Sequence, residues 1–521
     1  MAKKIILLFL LLFFALPCVT APSPQPQQPP PPPVQAGAAD SANERKISPE
    51  QAKELFQSVD EILQFASKDS LLPLKTPVKK AMLSRAQVEK YVEDKFQEDV
   101  DRIRFERSEL VLKKFGLLPR TFDLHNFLVR LLGEQIAGFY DPKSKTMNLL
   151  DWVPWDEQKP VMAHELTHAL QDQSFDLGKM MKATEEIERR GPADPNALIQ
   201  IDEESGCRTA VLEGQAMIVL VDYILAPAGR SVENSPKFVD MMTSQMEQGD
   251  ESPLFASAPL LLKEELTFPY TQGMKFIQVL LTKGGKKLAF TGVLERMPQT
   301  SREILEPEEY LAGRRVSPLT LPDLDFLKRD FEPFDAGAVG ELDVKILLKQ
   351  YANEETASRL SREWRGGSYY AAGRKGVKPA DPNSSAHIGL FYVSRWSNEK
   401  SAQEFAKIYA SGLAQRYSNL ERAPSQGNNS GRDKYSSSDG PIFIAQQGDL
   451  LVVVESFDEA TAEKLIQAAQ KRSAALKYSR TVFAAADSGL SSVLKMSARP
   501  FGITAPSAPL STNMSDPLRR P

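Results

Sequence analysis

His164-Glu165-Leu166-Thr167-His168 opens the string His-Glu-Leu-Thr-His-Ala-Leu-Gln-Asp-Gln at 164–173, and the reading of the whole chain turns on it. On a helix, residues four apart share a face, so the two imidazoles point the same way and Glu165 sits beside them. Met162, Leu166, Ala169 and Leu170 supply an apolar stripe at helical spacing, which leaves the histidine side to face a cleft. Two imidazoles on one face with an adjacent carboxylate make a metal site with its own base. The bland alternative is a helix that merely tolerates two histidines, and the clean apolar stripe behind them argues against it.

Zinc in a catalytic site takes three protein ligands and keeps one position for water, so His164 and His168 are one ligand short. Glu213 is the favoured third. The helix carrying it presents Gly206, Thr209, Ala210 and Ala216, small residues that let another helix approach closely. Glu203 and Glu204 compete for the role, but they fall in a charged run that reads as a solvated face.

The 521 residues suffice for about three domains on the usual scale. A net charge of -4 gives no basic footprint for nucleic acid and no polybasic patch for an anionic membrane. Lys3 and Lys4 precede an apolar run from Ile5 to Ala15, the length of a signal-peptide core and too short to span a bilayer, so the chain is expected to be exported, secreted or periplasmic. Release near Val19-Thr20-Ala21 is the expected route, with lipid attachment at Cys18 the alternative. No transmembrane span is expected in the mature chain. Cys207 is then the lone remaining cysteine, read as a small buried hydrophobe.

The expected organisation is a signal peptide at 1–21, then a tether at 22–45 with eight prolines in its first dozen positions. A helical lobe at 46–115 follows, opened by the capping box Ser48-Pro49-Glu50-Gln51. A catalytic domain at 116–311 comes next, with strands near 136–140 and 146–151 ahead of the His-Glu helix. A Pro-, Asp- and Gly-rich linker at 312–340 leads to an α+β module at 341–480, and a tail at 481–521 lacks periodicity. The fold class is α+β: a mainly helical catalytic domain with a small β-sheet edge, plus the C-terminal module.

The His-Glu-x-x-His pentad, the downstream Glu213-Gly214-Gln215-Ala216 helix, and Phe268-Pro269-Tyr270-Thr271-Gln272-Gly273 together resemble the gluzincin clan of zinc metallopeptidases. The segment from about 120 to 311 also resembles an exported bacterial lineage of poorly characterised zincins that share the 164–173 string. The resemblance covers about a third of the chain. It implies a zincin-like fold in which His164, His168 and Glu213 hold Zn2+, Glu165 is the general base, and Tyr270 donates to the oxyanion. It also implies that Ala137-Gly138-Phe139-Tyr140 is the edge strand that pairs with an extended peptide. The sequence departs from the pattern twice. Tyr140 stands where the aminopeptidase branch carries a Glu that anchors the substrate amine, although Asp141 or Glu134 lies close enough to substitute. Glu306 stands where the exported lineage carries a His before Pro307-Glu308-Glu309-Tyr310.

The expected activity is zinc-dependent peptide hydrolysis, with internal cleavage of a peptide or protein substrate. Two other readings stand beside it: an exported binding or scaffold protein that keeps the fold with little turnover, and a metal-dependent hydrolase acting on another bond.

Overall fold

A computed structural model describes residues 47–96, 99–248, 252–377, 381, 384–424 and 431–473. The expected signal peptide with Cys18, the proline-rich tether and the tail lie outside these residues.

The fold is α+β. Helix α1 (Pro49–Ser70) starts at the expected capping box, with the Ser48 hydroxyl accepting from the Gln51 N–H and the Gln51 side chain accepting from the Ser48 N–H. Strand β1 (Lys79–Leu83), α2 (Arg85–Phe96), α3 (Asp99–Phe115) and α4 (Leu124–Gln135) follow. The hairpin strand β3 (Thr146–Leu150) sits within the stretch expected for it, and β2 (Phe139–Asp141) is shorter than expected and ends one residue later. Strand β1 was not foreseen. It pairs parallel to β3, Lys79 opposite Thr146 through Leu83 opposite Leu150, and so stitches the N-terminal lobe into a three-stranded sheet ordered β1-β3-β2.

Three long helices form the centre: α5 (Trp155–Phe175), α7 (Pro195–Leu225) and α9 (Leu260–Lys286), with α6 (Leu177–Arg190) and α8 (Lys237–Gln248) alongside. Asp194 caps α7 by accepting from the Ala197 N–H, and Pro195 occupies its first turn, where a missing N–H costs nothing. By length and composition α7 would suit a bilayer, but here it is the core helix and most of its surface is buried by protein. Cys207 lies in it, 1% exposed.

The stretch expected as a linker contains a strand, β4 (Phe331–Ala338). It begins a seven-stranded antiparallel sheet ordered β4-β5-β6-β10-β9-β8-β7, with β5 (Trp364–Arg374), β6 (Ile388–Trp396), β7 (Glu421–Arg422), β8 (Arg432–Ser436), β9 (Ile442–Gln447) and β10 (Leu450–Glu455). The Pro and Asp that suggested a linker are accommodated because β4 is an edge strand whose register shifts between Pro333 and Asp335. Leu450 to Val454 read as one apolar run because both faces of the sheet are covered. Leu451 and Val453 join the core under α3, α10 (Glu341–Tyr351) and α12 (Glu399–Arg416). Val452 and Val454 join a second cluster with Leu198 and Ile199 of α7 and with Leu465 and Ile466 of the helix that starts at residue 459.

Candidate metal centre

Helix α5 places His164, Glu165 and His168 on its inner face, each 2% exposed. Helix α7 crosses α5 there and brings in Glu213, 1% exposed. His164 Nε2 lies 3.0 Å from Glu213 Oε2, His168 Nε2 lies 3.1 Å from His164 Nε2, and His168 Nε2 lies 3.5 Å from Glu213 Oε2. Three ligand atoms therefore form a triangle with sides of 3.0–3.5 Å. A tetrahedral ion with bonds of about 2.0–2.1 Å separates its ligands by about 3.3 Å, so the triangle has the size of one face of such a site. Two imidazoles and a carboxylate are also the donor set zinc accepts.

Of the small residues expected to let another helix approach α7, Ala210 lies at such a contact, together with Gly214. A Cβ on Gly214 would fall 2.4 Å from the Gly273 carbonyl, and a Cβ on Gly273 would fall 2.2 Å from the Ala210 oxygen. The close approach is between the backbones of α7 and α9, and it brings α9 rather than α5 against this face. One turn before Gly273 is Tyr270, whose ring lies 6.3 Å from that of His164 at 28°. Tyr270 sits inside α9, which runs straight through Pro269 rather than starting after it.

Glu203 and Glu204 go elsewhere. Glu203 is fully buried, not solvated: its Oε2 accepts from the Ser301 N–H at 2.7 Å and from the Ser301 hydroxyl at 3.1 Å. Glu204 accepts from the Gln200 side chain. Glu306 pairs with Arg362 at 2.8 Å.

The electrostatics follow from burial and from these contacts. Burial raises the Glu165 carboxyl to about 8; His168 and the Tyr140 N–H oppose that rise and the Glu213 charge adds to it. For Glu213 burial is outweighed by the His168 charge and by hydrogen bonds from both imidazoles, which hold it down at about 2. His168 is pushed up to about 9, the Glu213 charge overcoming its burial, while burial takes His164 down. Burial, with the Glu213 and Glu165 charges, pushes the Tyr270 phenol well up, so it stays protonated and remains a donor.

Sequence reasoning did not anticipate the partners that steady this cluster. The Tyr140 N–H, on the outer side of β2, donates to Glu165 Oε2 at 2.8 Å. The Tyr140 hydroxyl donates to Asp172 at 2.8 Å, and Asp141 accepts from the Lys143 and Ser144 N–H groups of its own turn. The Glu134 side chain lies outside the described residues. Gln173 clamps the N-terminal lobe: its Oε1 accepts from the Lys75 and Thr76 N–H groups and its Nε2 donates to the Thr76 carbonyl. Gln171 Oε1 lies 2.8 Å from His168 Nδ1. Each residue of the Gln171-Asp172-Gln173 string thus has a separate structural task, and the clue was present in its spacing: Gln171 is one turn beyond His168.

Residues 330–466 match a family described as a domain of unknown function (DUF8575). No curated protein matches the chain, and no solved structure does.

Proposed function

We propose that this chain is an exported zinc-dependent peptidase that cuts peptides internally. The observation that carries the reading is the 3.0–3.5 Å triangle of His164, His168 and Glu213, with Glu165 held beside it by the backbone of an edge strand. A divalent cation held there supplies Lewis acidity, polarising a carbonyl and making water a stronger nucleophile near neutral pH. Glu165 takes the proton of the attacking water and returns it to the leaving amine. The Tyr140 N–H at 2.8 Å holds the Glu165 carboxylate in place for both halves of that transfer. Tyr270, kept neutral, donates toward the developing oxyanion. Among the described residues strand β2 has one sheet neighbour, β3, so a substrate strand laid along its other edge brings a peptide bond to Glu165.

Internal cleavage is favoured because no carboxylate of β2 is offered to a free amine. Tyr140 is neutral and bonded to Asp172, and Asp141 is committed to its turn. A second reading, a binding or scaffold protein that keeps the site without turnover, is favoured by burial: His164, Glu165, His168, Glu213 and Tyr270 are each at most 3% exposed.

The test is metal analysis of purified protein with a quenched-peptide library, followed by mass spectrometry on one peptide with free and acetylated N-termini. Bound zinc with cleavage of both forms at internal bonds supports the proposal. Bound zinc without turnover favours the scaffold, and release of single residues from the free form alone makes the protein an aminopeptidase. In an active protein Tyr270→Phe lowers kcat with little change in KM, because the hydrogen bond forms mainly in the transition state. An unchanged kcat assigns Tyr270 to packing.

A further inference from the structure

A fixed chain of amides runs from the backbone behind α9 to His168. Gln215 Nε2 lies 2.7 Å from the Ala289 carbonyl and 2.9 Å from the Phe290 carbonyl, in the π-helical stretch Lys287–Gly292. Two carbonyl oxygens accept only from a donor, so this end of the Gln215 amide is nitrogen and its oxygen points the other way. That oxygen lies 2.9 Å from Gln171 Nε2, which also donates to the Leu212 carbonyl at 3.1 Å. The Gln171 amide is thereby oriented as well, and its Oε1 faces His168 Nδ1 at 2.8 Å. Both glutamine side chains are fully buried, so no water competes for these positions.

We infer that Gln171 and Gln215 are positioning residues that set the tautomer of His168. With Gln171 Oε1 able only to accept, the proton of a neutral His168 resides on Nδ1, and the lone pair of Nε2 points into the triangle with His164 and Glu213. A flipped Gln171 would donate to Nδ1 and drive the proton onto Nε2, where it blocks a cation. Gln215 and the Leu212 carbonyl, two acceptors facing Gln171 Nε2, together oppose the flip, and Gln215 is the side chain of the two. Its own orientation is fixed by two backbone carbonyls that no side-chain rotation can remove. Ligand imidazoles in metal sites depend on such outer partners, whose loss typically costs about tenfold to a hundredfold in metal affinity. The inference rests on the metal-site reading above and deepens it.

The experiment is zinc affinity of the full chain by chelator competition for wild type, Gln171→Leu, Gln171→Glu and Gln215→Met, together with ring 15N spectra of zinc-loaded wild type. The chain has four histidines, so histidine-selective labelling gives four ring signals, of which those of His168 are assigned by comparison with His125→Gln, His164→Gln and His387→Gln. Gln171→Leu is expected to lose about tenfold to a hundredfold in affinity. Gln171→Glu, which keeps an acceptor for Nδ1–H, is expected to retain most of it, and Gln215→Met to fall between the two. The wild-type spectrum is expected to show a slowly exchanging proton on Nδ1 of His168, a reading that needs no variant to fold. Gln171→Leu and Gln215→Met that bind zinc as tightly as wild type overturn the inference and leave the metal site standing, as does a His168 ring protonated at Nε2. Wild type that binds no zinc overturns both.

Discussion

Two of the buried charge clusters among the described residues are built on opposite principles. Around Glu455, at the end of β10, every strong acceptor is met by a donor of the chain itself. Tyr409 donates to Oε1 at 2.8 Å, Arg416 donates at 3.0 Å, and the Tyr417 hydroxyl donates to Oε2. The Arg416 guanidinium also stacks on Tyr409 and donates to the Lys114 carbonyl. Around Glu213 the atoms that converge are two imidazole nitrogens and a carboxylate oxygen, a set that has more lone pairs than protons once both imidazoles are neutral and protonated at Nδ1. The first arrangement is complete and serves the fold. The second, in that state, is complementary to a cation. A satisfied buried ion pair and a ligand cluster are told apart by which side, donors or acceptors, is in surplus.

The sharpest separation of the two comes from Glu165→Gln. Turnover is expected to fall about a hundredfold to ten-thousandfold, since the amide cannot take the proton, while zinc content and the unfolding midpoint stay near wild type. Peptide hydrolysis and metal analysis on one preparation check this, and near-normal kcat removes Glu165 as base. Arg416→Met acts at the other cluster and reverses the pattern. It strands Glu455 in the interior, and loss of one partner of a buried pair typically costs about 3–5 kcal/mol. Denaturant unfolding should register that loss while zinc affinity in the folded fraction is unchanged.

Glu213→Gln tests the surplus directly. A cation that binds only the folded protein adds about 2.7 kcal/mol at a hundredfold excess over its Kd, and the variant should lose this zinc-dependent stabilisation. A variant whose midpoint still climbs with zinc as in wild type removes Glu213 from the ligand set. The smallest expected effect is that of Gly273→Ala, where the added methyl meets the Ala210 oxygen. Overpacking of this kind costs about 1–3 kcal/mol, and by prising α9 from α7 it should weaken zinc binding. The Arg416–Glu455 cluster should not respond, which can be followed through its tyrosines.

What the sequence made legible follows from how locally each feature is specified. The capping box at Ser48, the hairpin strands and the His-Glu helix depend on neighbours within a few positions, and spacing alone exposes them. Glu213 was reachable because a catalytic site needs a third ligand. Of the small residues offered in its support, Ala210 accommodates α9 at Gly273. Glu203 was read as solvated from its charged surroundings, yet Ser301, almost a hundred residues away in sequence, buries and bonds it. Strand β1 is short and not alternating, and its pairing with β3 is set by tertiary contact. Strand β4 hid behind Pro333 and Asp335, which only an edge position and a register shift make acceptable. Orientation of amides, the property on which the His168 tautomer depends, leaves no trace in composition or period.

One helix joins the two regions. Near its start α7 offers Asp202 to the Ala338 N–H at 3.0 Å and Glu203 to Ser301, where Gly340 leaves room for the Glu203 carboxylate, and three turns later it offers Glu213 to the histidines. This sets a rule for dissecting the chain. A fragment cut near residue 330, where the match to the family of unknown function begins, would leave Asp202 without the backbone donor it holds and uncover Leu198 and Ile199. The half that carries the histidines and the C-terminal module therefore belong to a single compact unit, and a deletion that aims to ask what the module does will first report on whether α7 still stands.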